Sequence, residues 1–353
     1  MKIAVYSIAL NEAQFVQQWA DSAADADYLL IADTGSQDET VSLAKDNGVN
    51  VIEIGVKPWR FDDARNASLA AIPLDIDYCI ALDMDEILLP GWRKEMEKAF
   101  EQGFTRPRYE YTWSWNEDGS PGLIYGGDKI HTRSGYRWKH PVHEVLVSTT
   151  PEISGWIDLK IHHHADNSKS RGQYLPLLEQ AVREDPHDDR NAHYLAREYY
   201  FRGMLEKASA EFQRHLELPT ATWAPERSTS MRYLSQCDLD RAEYWLLRSA
   251  AEAPDRREPW VDMADYYRLR GEWSSALASA CRALAIKERP LEYLCEASAW
   301  GSKPYDIAAL ASYYLGDIEA ALAYGQEAVI IDPTDSRLVD NLAWYSGSQG
   351  EPE

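Results

Sequence analysis

With 353 residues and a formal net charge of −22, the chain is long enough for two cores and acidic enough to repel bare nucleic acid over much of its surface. The same charge disfavours docking on an anionic membrane, and no apolar run of about 18 residues is present to span one. Four cysteines (Cys79, Cys237, Cys281, Cys295) stand far apart with no CxxC spacing, which sets aside disulfide and thiolate-metal frameworks and points to a reduced, cytoplasmic setting.

Residues 3–10 form a short apolar run that ends at Asn11-Glu12, and it reads as a buried first strand rather than a signal peptide. Helix-like residues 12–24 follow, then a second apolar run over 28–32 that ends in Asp33-Thr34-Gly35-Ser36. Residues 38–47 read as a helix, 51–54 as a third strand, and 78–82 as a fourth that ends in Asp83-Met84-Asp85-Glu86. Strands alternating with helices predict an open, largely parallel α/β sheet. Such sheets bind ligands at the carboxyl ends of their strands, where the polar segments at Asn11, Asp33 and Asp83 all fall.

Residues 106–156 are rich in Tyr, Trp and Gly, including Tyr109, Tyr111, Trp113, Trp115, Tyr125, Tyr136 and Trp138. Two readings stand: strands that cover the sheet, or aromatic faces that pack on a sugar ring. From Gln173 onward the chain is helical and repetitive. Gly203, Cys237 and Gly271 are spaced by 34 residues, as are Ala208, Ala242 and Ala276, and a fourth unit at Gly316 and Ala321 follows after 45. Prolines at 219, 254, 290 and 333 close the second helix of each unit. This is the tetratricopeptide period, in which small residues let paired helices cross closely. The repeats would serve as a scaffold, a homodimer surface, or an acceptor groove.

Asp83-Met84-Asp85 follows its apolar strand directly. Two carboxylates at one strand end can reach a hard divalent cation, which can in turn neutralise a departing diphosphate. Taken in order, Leu10-Asn11-Glu12, Asp33-Thr34-Gly35-Ser36-Gln37-Asp38, Ala64-Arg65-Asn66-Ala67 and Leu82-Asp83-Met84-Asp85-Glu86 resemble the family 2 glycosyltransferases of the GT-A fold. The likeness is closest to the bacterial branch with a DTGSxD segment and a C-terminal tetratricopeptide array. It implies a GT-A (Rossmann-like) catalytic domain over residues 1–168 and an all-α tetratricopeptide-like domain over 169–353.

The resemblance also implies roles. Leu10, Asn11 and Glu12 would line the nucleotide pocket, Asp33 would bond the base or ribose, and Asp38 would cap the next helix. Arg65 would contact the diphosphate, while Asn66 braces its loop. Asp83 would lie near the ribose or metal, and Asp85 would ligate Mn²⁺ or Mg²⁺ directly. In Pro141-Val142-His143-Glu144, Glu144 is the candidate general base, with Glu86 as its rival. Of the adjacent histidines 162–164, His162 and His164 share one strand face and His163 takes the other. His164, then His162, is the expected metal ligand; a zinc site or a solvated turn is the other reading of the cluster. No QxxRW segment is present, which favours a single inverting transfer over polymerisation. The implied activity is transfer of a sugar from a nucleotide-diphosphate donor, a UDP-sugar, to an acceptor held partly by the repeats: peptide or protein, saccharide, or modified nucleic acid, the last disfavoured by charge. The competing reading is an interaction module whose transferase-like domain only binds nucleotide.

Overall fold

The computed structural model describes residues 1–116, 118–166 and 172–347. The chain divides into two compact units, residues 1–181 together with 291–293, and residues 182–290 together with 294–353. The expected domain edge at residue 168 lies outside the described residues.

The first unit is a mixed α/β region. It runs β1 (Ile3–Ala9), α1 (Ala13–Ser22), β2 (Tyr28–Asp33), α2 (Thr40–Asp46), β3 (Asn50–Glu53), α3 (Phe61–Ala71), β4 (Tyr78–Ala81), β5 (Glu86–Leu88), α4 (Trp92–Glu101), β6 (Arg108–Thr112), β7 (Ile124–Gly127), β8 (Ile130–Thr132), β9 (Tyr136–Lys139), β10 (Val145–Ser148) and β11 (Trp156–His163). One sheet has the order β3-β2-β1-β4-β8, a second has β5-β11-β6-β7, and β9 pairs with β10. In the first sheet β3, β2, β1 and β4 are parallel, and β8 closes the edge antiparallel to β4. Parallel strands are covered on both faces and must be apolar throughout. That is why Ile3, Ala4, Val5 and Tyr6 of β1 are all fully buried. Register aligns Ala9 with Asp33, so β1 and β2 end at one level. Buried Trp19 of α1 donates its indole N–H to the Leu82 carbonyl at 3.0 Å, which fixes the end of β4 against the helix.

The aromatic-rich segment belongs mostly to the core. Tyr109, Tyr111, Tyr136 and Trp138 are buried, which corrects the sugar-platform reading for those rings. Trp113, on the loop after β6, is exposed, and Trp115 is half-buried.

His131, at the centre of β8, has no solvent exposure and lies between the Thr132 carbonyl, 2.8 Å from Nδ1, and the Tyr6 hydroxyl, 3.2 Å from Nε2. Burial pushes its imidazole down from 6.5 to about 4. Between those values the unfolded chain binds the proton and the folded chain does not, so stability rises with pH across the window. About 3 kcal/mol is therefore expected to disappear as the pH falls from 6.5 to 4, a shift of one pKa unit being worth about 1.4 kcal/mol. Urea melts across this range check it: His131→Gln should flatten the profile, and an unchanged slope would refute the assignment.

The second unit is all helical. From α5 (Tyr174–Glu184), which straddles the two units, the chain continues through α6 (Asp189–Phe201), α7 (Leu205–Glu217), α8 (Ala224–Cys237), α9 (Ala242–Glu252), α10 (Arg257–Leu269), α11 (Trp273–Ala285), α12 (Ala297–Trp300), α13 (Lys303–Tyr314), α14 (Ile318–Ile331) and α15 (Ser336–Tyr345). The 34-residue period corresponds to the pairs α6/α7, α8/α9 and α10/α11. The longer spacing before α13/α14 is the loop after α11 plus short α12. Ala208, Ala276 and Ala321 are each the fourth residue of the second helix of a pair, Ala242 opens α9 after a 3₁₀ turn, and all four are buried where the helices cross. Gly203, Gly271 and Gly316 turn the chain between paired helices with φ of 71°, 70° and 83°. At the remaining junction Cys237 ends α8, Asp238 has φ −125° and ψ 79°, and a 3₁₀ turn Leu239–Arg241 leads into α9. No left-handed residue is needed there, so the missing glycine is explained. A Cβ on Gly271 would meet nothing within 4 Å, so Gly271→Ala strains only the backbone. It should cost about 1–2 kcal/mol in a thermal melt, and no loss would mean the turn relaxes to another conformation.

Candidate functional site

The carboxyl ends of β1, β2 and β4 carry the three acidic segments to one edge of the sheet. After β1, Leu10 is exposed and Asn11 has φ 55°, in the left-handed region. Asn11 is locked there: its N–H donates to Ser36 Oγ at 2.9 Å, and its Oδ1 accepts from the Gln37 N–H at 2.8 Å. The Glu12 N–H donates to Thr40 Oγ1 at 2.7 Å, and Asp38 Oδ2 accepts from the Ala13 N–H at 3.1 Å. The two loops are therefore one braced unit. Buried Asp33 accepts from the backbone N–H groups of Gly35 and Ser36, both 3.0 Å from Oδ2. Its carboxylate shapes this turn, whatever ligand its position at the strand end allows.

The densest charge lies beyond β4. Arg65 on α3 is 6% exposed and donates Nη2–H to Asp83 Oδ1 at 2.6 Å and Nε–H to Glu144 Oε1. Its guanidinium also lies 5.0 Å from the Trp138 ring centroid. Lys129 donates to Asp83 Oδ2 at 2.7 Å and to Glu86 Oε1 at 2.9 Å. Glu86 further accepts from the Tyr111 hydroxyl at 2.5 Å and from the Asp83 N–H at 2.9 Å. Three carboxylates (Asp83, Glu86, Glu144) thus surround two cations (Arg65, Lys129). Despite burial, the guanidinium and ammonium hold the Asp83 carboxyl well below the usual carboxylate range. Burial, with Asp83 adding to it, pushes Glu86 up.

These contacts bear on three assignments. The resemblance puts Arg65 on a diphosphate, but its guanidinium is taken up by Asp83 and Glu144. Only Nη1, buried and without a hydrogen-bond partner among the described residues, is left for an added anion. Asp83, expected near the ribose or metal, is bonded to two cations, Arg65 and Lys129. Glu86 is a poor base, because it is 1% exposed and enclosed by three donors.

Asp85 differs. It sits on the turn between β4 and β5, partly exposed, with Oδ2 3.3 Å from His163 Nε2. The β11–β5 ladder sets this up by pairing His163 with Glu86, the neighbour of Asp85. The Trp113 carbonyl lies 2.8 Å from His163 Nδ1, and the His163 ring stacks on Trp113 at 4.4 Å. Asp85 raises the affinity of this imidazole for a proton against the effect of burial. His164 and His162, the expected ligands, instead pack around Trp115 on the other strand face. The physical reason is alternation: Ile157, Leu159 and Ile161 point into the core, and His163 follows in that series. An imidazole nitrogen beside a partly exposed carboxylate, with the other nitrogen against a backbone carbonyl, is a donor set that fits a divalent cation. Asp85 and His163 are the residues that would hold it.

Glu144 lies just before β10, 11% exposed at its side chain, and flanked by left-handed residues at His140 (φ 85°) and His143 (φ 49°). Such conformations cost energy and persist where surrounding contacts impose them. Here Asn66 holds the preceding strand through a reciprocal pair with the Trp138 backbone, at 2.8 and 2.9 Å. Asn66, which lies in α3, thus braces β9 rather than a loop of its own. Lys129 was not among the sequence candidates. It enters the site because β8 pairs with β4, a long-range choice with no local signature.

No family model matches the chain. A TPR repeat-containing protein of Synechococcus elongatus is 26% identical over 317 residues, spanning 80% of this chain and 75% of that protein. Among solved structures, MamA aligns over 46% of this chain and 89% of its own with a TM-score of 0.37 and 15% identity. Glucosyl-3-phosphoglycerate synthase from Mycobacterium tuberculosis, solved with Mn²⁺, UDP and glucosyl-3-phosphoglycerate, aligns over 31% of this chain and 44% of its own with a TM-score of 0.27 and 26% identity. No helix among the described residues is long and apolar enough to cross a membrane.

Proposed function

We propose that the first unit is a metal-dependent GT-A glycosyltransferase that moves a sugar, with inversion, from a nucleotide-diphosphate donor to an acceptor held in part by the helical repeats. The observation that carries this reading is the pairing of partly exposed Asp85 with His163 at the same sheet edge as the braced Asn11 and Asp33 loops. A nucleotide laid along that edge would meet the loops after β1 and β2 with its base and ribose, and Asp85 with its diphosphate. A divalent ion bound there supplies a Lewis acid that neutralises charge on the departing diphosphate.

The chain's own residues do the rest. Glu144, fixed through one oxygen by Arg65 Nε, takes the proton from the acceptor hydroxyl as it attacks the anomeric carbon. Arg65 and Lys129 hold Asp83 in place and lend positive potential to the pyrophosphate side. Exposed Trp113, stacked on His163, offers an aromatic face beside the ion position, where a pyranose would pack. The donor is a UDP-sugar and the acceptor polymeric or peptidic, in a cytoplasmic setting.

A second reading keeps nucleotide binding and removes catalysis, and the Arg65–Glu144 pair favours it, because one Glu144 oxygen is already occupied by the Arg65 guanidinium. Calorimetric titration with UDP, with and without Mn²⁺, followed by donor hydrolysis, separates the two. Mn²⁺-dependent binding with hydrolysis supports the transferase. Binding with no hydrolysis or transfer from any UDP-sugar supports the binding module. No binding at all refutes both.

A further inference from the structure

We propose that Asp189, His215 and Glu226, in the second unit, form a site for a divalent transition-metal ion such as zinc. One ligand atom from each lies within 4.8 Å of the others. Three helix ends bring them together: Asp189 opens α6, His215 stands in the last turn of α7, and Glu226 lies in the first turn of α8.

Burial makes this more than a surface cluster of acids. His215 is fully buried and Glu226 is 3% exposed. His215 Nε2 lies 3.3 Å from Glu226 Oε1, yet it has no hydrogen-bond partner among the described residues. A buried nitrogen without a partner is costly, and a metal ion on its lone pair removes the penalty. The Asp189 and Glu226 carboxylates, each with an oxygen within 4.8 Å of the other, repel. A dication between them relieves that repulsion.

The surroundings also permit the tautomer that a metal needs. Ser230 Oγ lies 2.8 Å from His193 Nδ1 and 2.9 Å from His215 Nδ1. The serine has one proton to donate, so at least one of the two rings carries its proton on Nδ1 and donates it to Ser230. When the His215 Nδ1–H donates to Ser230 and the Ser230 hydroxyl donates to His193, His215 Nε2 presents a lone pair toward Asp189 and Glu226. This is the outer-shell arrangement that orients a metal-binding imidazole. His193, fully buried, completes the relay through Ser230. One imidazole with two carboxylates suits zinc and its neighbours, whereas Mg²⁺ and Ca²⁺ prefer oxygen donors alone. The ion would clamp α6, α7 and α8 at one end of the first repeat, tying stability of the second unit to metal supply.

The competing account is a protonated His215 paired with Glu226 and no metal. The test uses the full chain carrying Asp85→Ala and His163→Ala, which removes both candidate ligands of the first unit. Co²⁺ is titrated as a spectroscopic stand-in for zinc, then displaced by Zn²⁺. The expected result is a visible ligand-field band that Zn²⁺ abolishes, and a Zn²⁺-dependent rise in the melting temperature of the helical unit. Adding Glu226→Gln, or Asp189→Asn at the half-buried first turn of α6, should weaken Zn²⁺ binding by about 100-fold or more. Because Glu226→Gln is buried and could unfold, circular dichroism accompanies it and Asp189→Asn decides independently. No band in the parent chain, or an unchanged Zn²⁺ affinity in a folded variant, overturns the proposal in favour of the protonated pair.

Discussion

Replacing Arg65 by alanine is expected to destabilise the first unit by about 3–5 kcal/mol, the penalty for removing one partner from a buried ion pair. The guanidinium is 6% exposed and is bonded at once to Asp83 and Glu144. Its loss strands both carboxylates next to Glu86, leaving Lys129 as the one cation bonded to this cluster among the described residues. Repulsion then adds to desolvation. It also uncovers Trp138, over which the guanidinium lies. Arg65→Lys should recover only part of the loss, since an ammonium cannot reach two carboxylates with a planar fork. Asp83→Asn combined with Arg65→Ala should cost less than the sum of the single changes, because the pair is coupled. Urea unfolding followed by tryptophan fluorescence measures all of these. A loss below about 1 kcal/mol, typical of an exposed pair, would mean that Asp83 and Glu144 do not depend on Arg65.

The second large effect concerns turnover. If the first unit transfers sugar as proposed, Asp85→Ala should lower Mn²⁺-dependent donor turnover roughly a thousandfold, equivalent to about 4 kcal/mol of lost charge stabilisation. Calorimetry should show UDP affinity falling to the level seen without Mn²⁺. His163→Ala should follow in the same direction, since its Nε2 shares the ion position with Asp85. His164→Ala and His162→Ala should leave turnover within a few fold, because their rings pack on Trp115. Asp85→Ala turning over at the wild-type rate would remove the metal from the mechanism. His164→Ala as damaging as His163→Ala would remove the histidine assignment instead.

How far the sequence could be read follows from the range of the forces involved. The runs at residues 3–10, 28–32 and 78–82 are legible because buried parallel strands must be apolar along their length, and Ile3, Ile31 and Ile80 are fully buried. The repeats are legible because tight helix pairing demands alanine at one place and a left-handed glycine at another, at a fixed step. Other features depend on pairings that no local pattern records. Lys129 reaches Asp83 only after β8 joins β4, and Arg65 finds Glu144 across 79 residues of chain. The aromatic segment is ambiguous because Tyr109 and Trp113 have similar composition around them, while Tyr109 lies inside β6 and is buried and Trp113 falls on the loop just past its end and is exposed. The histidine run was decipherable in principle. Counting inward from Ile157, Leu159 and Ile161 selects His163 directly.

That run has a consequence for tolerance to insertions and deletions. A slip of β11 by one residue would still present an imidazole to Asp85, because His162 and His164 flank His163. The same slip would turn Ile157, Leu159 and Ile161 toward solvent and bring Asp158 and Lys160 into the core. Chemistry at this position is thus indifferent to strand alignment, and the apolar residues alone enforce it. A one-residue length change upstream of β11 should be rejected as a folding defect long before it is felt as a missing ligand.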